Sequence, residues 1–117
     1  MLSAVALGAF GAHLFEQLLI ENGREHVYKT ASAYHFYHAL GLLVIGAIQS
    51  QNTQLKFFRS TIALLFAGVL VFSGSLYLLA VQDIAWAGAL TPLGGLMLLM
   101  GWSFLLASLL IQGKNER

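Results

Sequence analysis

The stretch AYHFYHALGLL, residues 33–43, crowds two histidines and two tyrosines into its first half and then turns aliphatic without a charge. It sits inside a longer run, residues 30–55, that holds no Asp, Glu, Lys or Arg. A helix needs about 20 apolar residues to cross the hydrocarbon core of a bilayer. The run has that length, so it reads as a membrane helix with imidazoles near its head. The rest of the chain repeats the pattern. Residues 1–15, 60–82 and 84–113 are also uncharged, and the charges sit in short islands between them.

Composition agrees. Of 117 residues, 58% are hydrophobic and 9% charged, against about 25% charged in an average soluble domain. So few charges cannot cover the surface of a small soluble domain, so the solvent is lipid. The net charge of +1 offers no basic footprint for nucleic acid. The absence of cysteine excludes disulfides, thiolate zinc sites and cysteine nucleophiles. No basic stretch precedes the first apolar run, as a cleavable signal peptide requires; the first basic residue is Arg24.

The expected fold is all-α: a single transmembrane domain over residues 1–117, an antiparallel bundle of four transmembrane helices at about 1–20, 34–48, 60–81 and 90–111. The second helix is expected to extend back toward Glu25 as an amphipathic segment outside the hydrocarbon. The first is the difficult one. Fifteen residues rise only about 22 Å. Either the helix continues through Glu16 and Gln17 to Ile20, or a segment precedes Met1; the continuous spanning helix is the preferred reading. With four spans, Lys56, Arg59, Lys114 and Arg117 share one side with the N-terminus. Arg24 and Lys29 lie on the other with Glu16, Glu21, Glu25 and Asp83. Positive residues favour the cytoplasm, so both termini are expected there.

Lipid supplies no hydrophobic drive for helix pairing, so small residues and interhelical hydrogen bonds must supply it. Ala4, Gly8 and Ala12 recur every four residues on the first helix, Ala63 and Ala67 on the third, Ser103 and Ala107 on the fourth. Pro92 falls in the first turn of the fourth helix, where its missing N–H costs least, with Thr91 as the expected cap.

Threading the chain gathers polar residues at one depth in the outer leaflet. His13 and Glu16 lie late in the first helix. Tyr34, His35 and His38 open the second, Ser73, Ser75 and Tyr77 close the third, and Thr91 opens the fourth. These nine form the candidate polar cluster. His35 and His38 are three apart and share a helix face, as do His13 and Glu16. The leading reading is that these groups hydrogen-bond across helices and fix their register, since polar groups in a membrane need partners. A metal or haem site on the histidines and a proton or small-ligand path are the competing readings. No Asp, Glu, Lys or Arg lies deep in a span to serve a path. Soluble enzyme motifs are absent: no P-loop, dinucleotide fingerprint, zincin pair or serine elbow. The expectation is therefore no enzyme, no metal and no cofactor.

VALGAFGAH (residues 5–13), YHFYHALGLL (34–43), FSGSLYLLA (72–80) and TPLGGLMLLMGW (91–102) occur in that order. Together they resemble the YgdD-like family of small bacterial inner-membrane proteins, a domain-of-unknown-function family without a settled activity. The resemblance covers nearly the whole chain. It implies four transmembrane helices and an inner-membrane location. Its signature positions fall on Gly8, Gly11, His13, Tyr34, His38, Ser73, Gly74, Tyr77, Thr91, Pro92, Gly94, Gly95 and Trp102. Family members carry a longer N-terminus before GAFGAH, which points to a segment preceding Met1. The expected function is structural or accessory, in membrane organisation or in a larger membrane complex. The alternative is binding or transport of a small ligand, metal or lipid through the outer polar pocket. The expected partners are the lipid bilayer and a larger membrane complex or further copies of the chain, not nucleic acid.

Overall fold

The structure, a computed structural model, describes residues 1–51 and 55–115. Every regular element among them is helical: α1 (Leu2–Ala12), α2 (Glu16–Glu21), α3 (Glu25–Ser50), α4 (Phe58–Gln82) and α5 (Thr91–Asn115). A 3-10 segment over Ala85–Leu90 runs straight into α5. Three stretches are long and apolar enough to cross a membrane: α3, α4 and the continuous Ala85–Asn115. Arg117, one of the basic residues used to orient the chain, lies outside the described residues.

The expected helix over 1–20 is two short helices instead. The backbone leaves helical geometry at His13 (φ −128°, ψ −61°). The Phe15 N–H then closes the turn on the Phe10 carbonyl at 2.8 Å. The physical reason lies in the next two residues. Glu16 and Gln17 cannot continue into hydrocarbon, so the chain turns and lays α2 across the end of the bundle. Leu19 is buried there against Tyr28 and Ala80, while Glu16, Gln17 and Glu21 face out. Phe10, Phe15 and Tyr28 meet edge to face, with ring centroids 6.3 and 6.2 Å apart.

α3 starts at Glu25 rather than 34, over the stretch where the amphipathic extension was expected. Its first two turns are packed, not merely attached: Tyr28 and Ala31 are buried against the rest of the bundle. The histidines therefore lie about 15 and 20 Å from the helix start, not at its head.

α4 and α5 mesh along two matched rows. Thr61, Leu65, Gly68, Phe72 and Ser75 alternate at steps of four and three on α4. Gly94, Leu98, Gly101, Leu105 and Ser108 do the same on α5. That spacing is the seam of a left-handed helix pair. Each glycine receives a large side chain from the other helix. A Cβ on Gly68 would meet Leu98, one on Gly101 would meet Leu65 at 2.8 Å, and one on Gly94 would run into the Phe72 backbone. The every-fourth-residue faces expected on these helices point elsewhere: Ala63 and Ser103 are exposed. Ile45 of α3 completes this core with Leu65, Val69 and Leu98.

Short polar ties close the two ends. Asn22 Nδ2 donates to the Ala80 carbonyl at 3.2 Å, satisfying an acceptor at the open end of α4. Arg24 pairs with Asp83 at 3.1 Å. At the other end the Ser108 hydroxyl donates to the Lys56 and Phe104 carbonyls.

Candidate functional site

His35 and His38 occupy seam positions of α3. Tyr28, Ala31, His35, His38, Leu42 and Ile45 step by three and four along one stripe, and four of the six are buried. Three residues of helix turn the two imidazoles toward different neighbours, so they do not form one site.

His38 faces α5. Its Nε2 lies 3.1 Å from Trp102 Nε1, and its Nδ1 lies 2.8 Å from the Tyr34 carbonyl. An indole nitrogen only donates and a carbonyl only accepts. The ring is therefore the neutral tautomer with its proton on Nδ1, and its one lone pair is taken by the indole N–H. Tyr34 stacks beside it, ring centroids 6.0 Å apart, and the imidazole is buried. This bond sits near the middle of both helices, deeper than the outer-leaflet cluster expected from the sequence.

His35 faces α1 and α4. Nδ1 lies 3.2 Å from the Tyr77 hydroxyl and Nε2 lies 3.1 Å from Ser3 Oγ. Hydroxyls donate and accept, so either tautomer satisfies both contacts. This chain borders a cleft of about 550 Å³ between α1, α3 and α4, otherwise walled by residues such as Leu43, Phe66 and Leu70. Tyr77 also meets Tyr28 edge to face at 5.0 Å, and the Tyr28 hydroxyl donates to the Leu7 carbonyl.

The remaining candidates separate. Ser73 donates to the Ala31 carbonyl at 2.8 Å, inside the α3–α4 contact. Ser75 and Thr91 share a hydroxyl–hydroxyl bond of 2.7 Å between α4 and α5. Thr91, expected to cap α5, has helical dihedrals and turns its hydroxyl to Ser75 instead. His13 and Glu16 lie exposed at and after the α1 break and join none of these bonds. Among the described residues no group of three or more His, Asp or Glu is placed to hold a metal ion. The single polar cluster thus resolves into four separate ties.

Two partners were not among the sequence candidates. Ser3 carried no signal, because a serine on an apolar helix is common. Trp102 carried a usable one: an indole N–H in the middle of a long apolar span needs an acceptor, and His38 is one of few at that depth.

The sequence profile of a family described as proteins of unknown function, DUF423, matches residues 7–95. This chain belongs to the DUF423 family. Its relatives bear the family's other label: the UPF0382 membrane protein YwdK of Bacillus subtilis is 43% identical over 101 residues, 86% of this chain and 81% of that one. SH2409 of Staphylococcus haemolyticus, another UPF0382 membrane protein, is 44% identical over 105 residues, 90% of this chain and 84% of its own. The UPF0382 inner membrane protein YgdD of Escherichia coli K12 is 35% identical over 104 residues, 87% of this chain and 76% of its own. No solved structure matches this chain. The resemblance stated from the four motifs is therefore correct, and this DUF423 chain is a helical membrane protein. The DUF423 match takes in both histidines, Tyr34 and Tyr77, and stops short of Ser3 on one side and Trp102 on the other.

Proposed function

We propose that this DUF423 protein is a structural or accessory component of the bacterial inner membrane and not an enzyme. One observation carries the reading: both ring nitrogens of both core histidines are engaged by the chain's own groups. An imidazole held this way acts as a fastener. The lone pair of His38 is taken by the Trp102 indole, and His35 bridges the Ser3 and Tyr77 hydroxyls. The arrangement proposed is an antiparallel bundle in which α1 stands as a fourth member beside α3, α4 and α5. In support, contact numbers rise on one helix as they fall on its neighbour: 72 with 94, 68 with 98 and 65 with 101. The same holds for Ser3 with His35 and Gly11 with Tyr28. Both termini are proposed to be cytoplasmic, on the balance of Lys56, Arg59 and Lys114 against Arg24 and Lys29. The proposed partners are the bilayer and a larger membrane complex or further copies of the chain. Many exposed apolar side chains, among them Leu2, Leu14, Leu99 and Leu110, face lipid or such a partner.

Native mass spectrometry of the untagged protein, released from its own membranes in lipid nanodiscs, tests this. A co-released protein, or a homo-oligomer, is the expected result. The cleft beside His35 and Tyr77 favours a second reading, a small amphipathic ligand. A stoichiometric small molecule that His35→Ala loses would replace the structural reading with that one.

A further inference from the structure

A second cavity, of about 320 Å³, opens between α1, α2 and the first two turns of α3. Its wall carries Glu16, Glu25 and Lys29, with Ser32 and Gly8 at its floor. Gly8 and the Ser32 hydroxyl approach to 3.4 Å for a Cβ built on the glycine, which narrows the cavity inward. Within the described residues none of the three charged side chains joins a hydrogen bond or an ion pair; Arg24 and Asp83 form the pair nearby. Glu25 and Lys29 stand four apart in the order that favours a helical salt bridge, yet they line the cavity without closing on each other.

We propose that this cavity holds the phosphoethanolamine headgroup of an aminophospholipid. Two carboxylates and one ammonium on a single wall call for an occupant with a cation and an anion a few atoms apart. A zwitterion answers both: its ammonium meets Glu16 and Glu25, and its phosphate meets Lys29. The three N–H donors of a primary ammonium suit two carboxylates; a quaternary ammonium has none to offer. An anionic glycerol headgroup would face Glu16 and Glu25 with like charge. The volume falls at the small end of ligand sites. The position fits as well. The chain is a membrane protein, and Glu16, Glu21, Arg24, Glu25, Lys29 and Asp83 mark this end of the bundle as the level where lipid headgroups lie. The inference does not depend on the histidine fasteners, which sit deeper on α3.

The test is lipid retention by the purified, delipidated full chain. It is titrated with dioleoyl phosphatidylethanolamine, phosphatidylcholine and phosphatidylglycerol and read by native mass spectrometry. Phosphatidylethanolamine is expected to be retained about tenfold better than the other two. Lys29→Met, and the pair Glu16→Gln with Glu25→Gln, are expected to remove that preference. Glu21→Gln, outside the cavity, is expected to keep it. All four altered positions are exposed, so the variants should retain wild-type helicity by circular dichroism. Equal retention of the three lipids by the wild type overturns the proposal, as does a preference untouched in both variants. If soluble glycerophosphoethanolamine binds as tightly as the lipid, the occupant is a free zwitterion and the lipid assignment falls.

Discussion

The α4–α5 contact and the α1–α3 contact share their holding differently between small residues and polar ties. In the first, Gly68, Gly94 and Gly101 are buried, and the space a Cβ would need is filled by Leu98, Phe72 and Leu65. Shape alone holds that pair, and one hydroxyl bond, Ser75 to Thr91, pins its register. In the second, the Tyr28 ring fills the space a Cβ on Gly11 would need, while Gly8 meets the Ser32 hydroxyl at ordinary contact distance. Polar groups share the holding there: Ser3 to His35, and the Tyr28 hydroxyl to the Leu7 carbonyl. Beside the interlocked pair, a cleft of about 620 Å³ opens toward α3, lined by Tyr34, His38, Phe72 and Trp102. Where α1 and α3 are tied by hydrogen bonds, clefts remain on both sides of the tie.

The sharpest way to break the contrast is a single methyl group. Gly94→Ala drives a Cβ into the Phe72 backbone and is expected to cost about 3 kcal/mol, the upper range for overpacking. Gly8→Ala adds the same group in ordinary contact, and its effect is expected to stay under about 1 kcal/mol, the size of the helix propensity gain it brings. Thermal unfolding in nanodiscs, followed by circular dichroism, compares the two. Equal losses would show that the two contacts are packed alike.

The His38–Trp102 bond joins the interlocked half to α3. Trp102→Phe leaves His38 Nε2 buried without a donor and is expected to cost about 1–2 kcal/mol. A double-mutant cycle with His38→Ala isolates the pair, with a coupling of about 1 kcal/mol expected for a membrane hydrogen bond. Zero coupling would mean that the bond does not fasten the helices.

Thr61 tests the interlocked seam from the opposite direction. Its side chain is 1% exposed and its hydroxyl has no partner among the described residues. Thr61→Val keeps the branched shape and removes an unpaired polar group, so it is expected to raise stability by about 1 kcal/mol. A lower melting temperature would show that the hydroxyl is satisfied in the folded protein.

The smallest effect is expected at the tie between the α2–α3 and α4–α5 turns. Arg24 and Asp83 are 35% and 57% exposed, so Asp83→Asn is expected to cost about 0.5 kcal/mol. The loss should vanish in 1 M salt, where screening acts over about 3 Å. A larger, salt-independent loss would mean that the pair is shielded from water.

Most of the path through the membrane was legible in the residues. Long uncharged runs locate α3, α4 and α5 because hydrocarbon tolerates no unpaired charge, and the structure keeps each within a few residues of its expected position, apart from the early start of α3. Glu16 and Gln17 also announced trouble in the first helix, which the chain resolves by turning at His13. The candidate site was legible residue by residue but not as a group. Ser73, Ser75, Tyr77, Thr91, His35 and His38 all make cross-helix or backbone bonds, yet in separate ties. A three-residue spacing says that two side chains share a face; it does not say that both address the same neighbour.

The sequence by itself determined that this chain is helical and lives in lipid, since charge distribution and run length answer to the bilayer alone. It also determined that the buried polar residues must find partners, because hydrocarbon offers none. Only the tertiary structure decided which partners. The choice of Trp102 for His38 depends on how α5 is rotated and shifted against α3. α4 transmits that placement: Gly94 and Gly101 of α5 admit its Phe72 and Leu65, a fit between surfaces far apart in the chain. Periodicity along one helix carries the rows of that seam, and the meshing of two rows fixes everything built upon it.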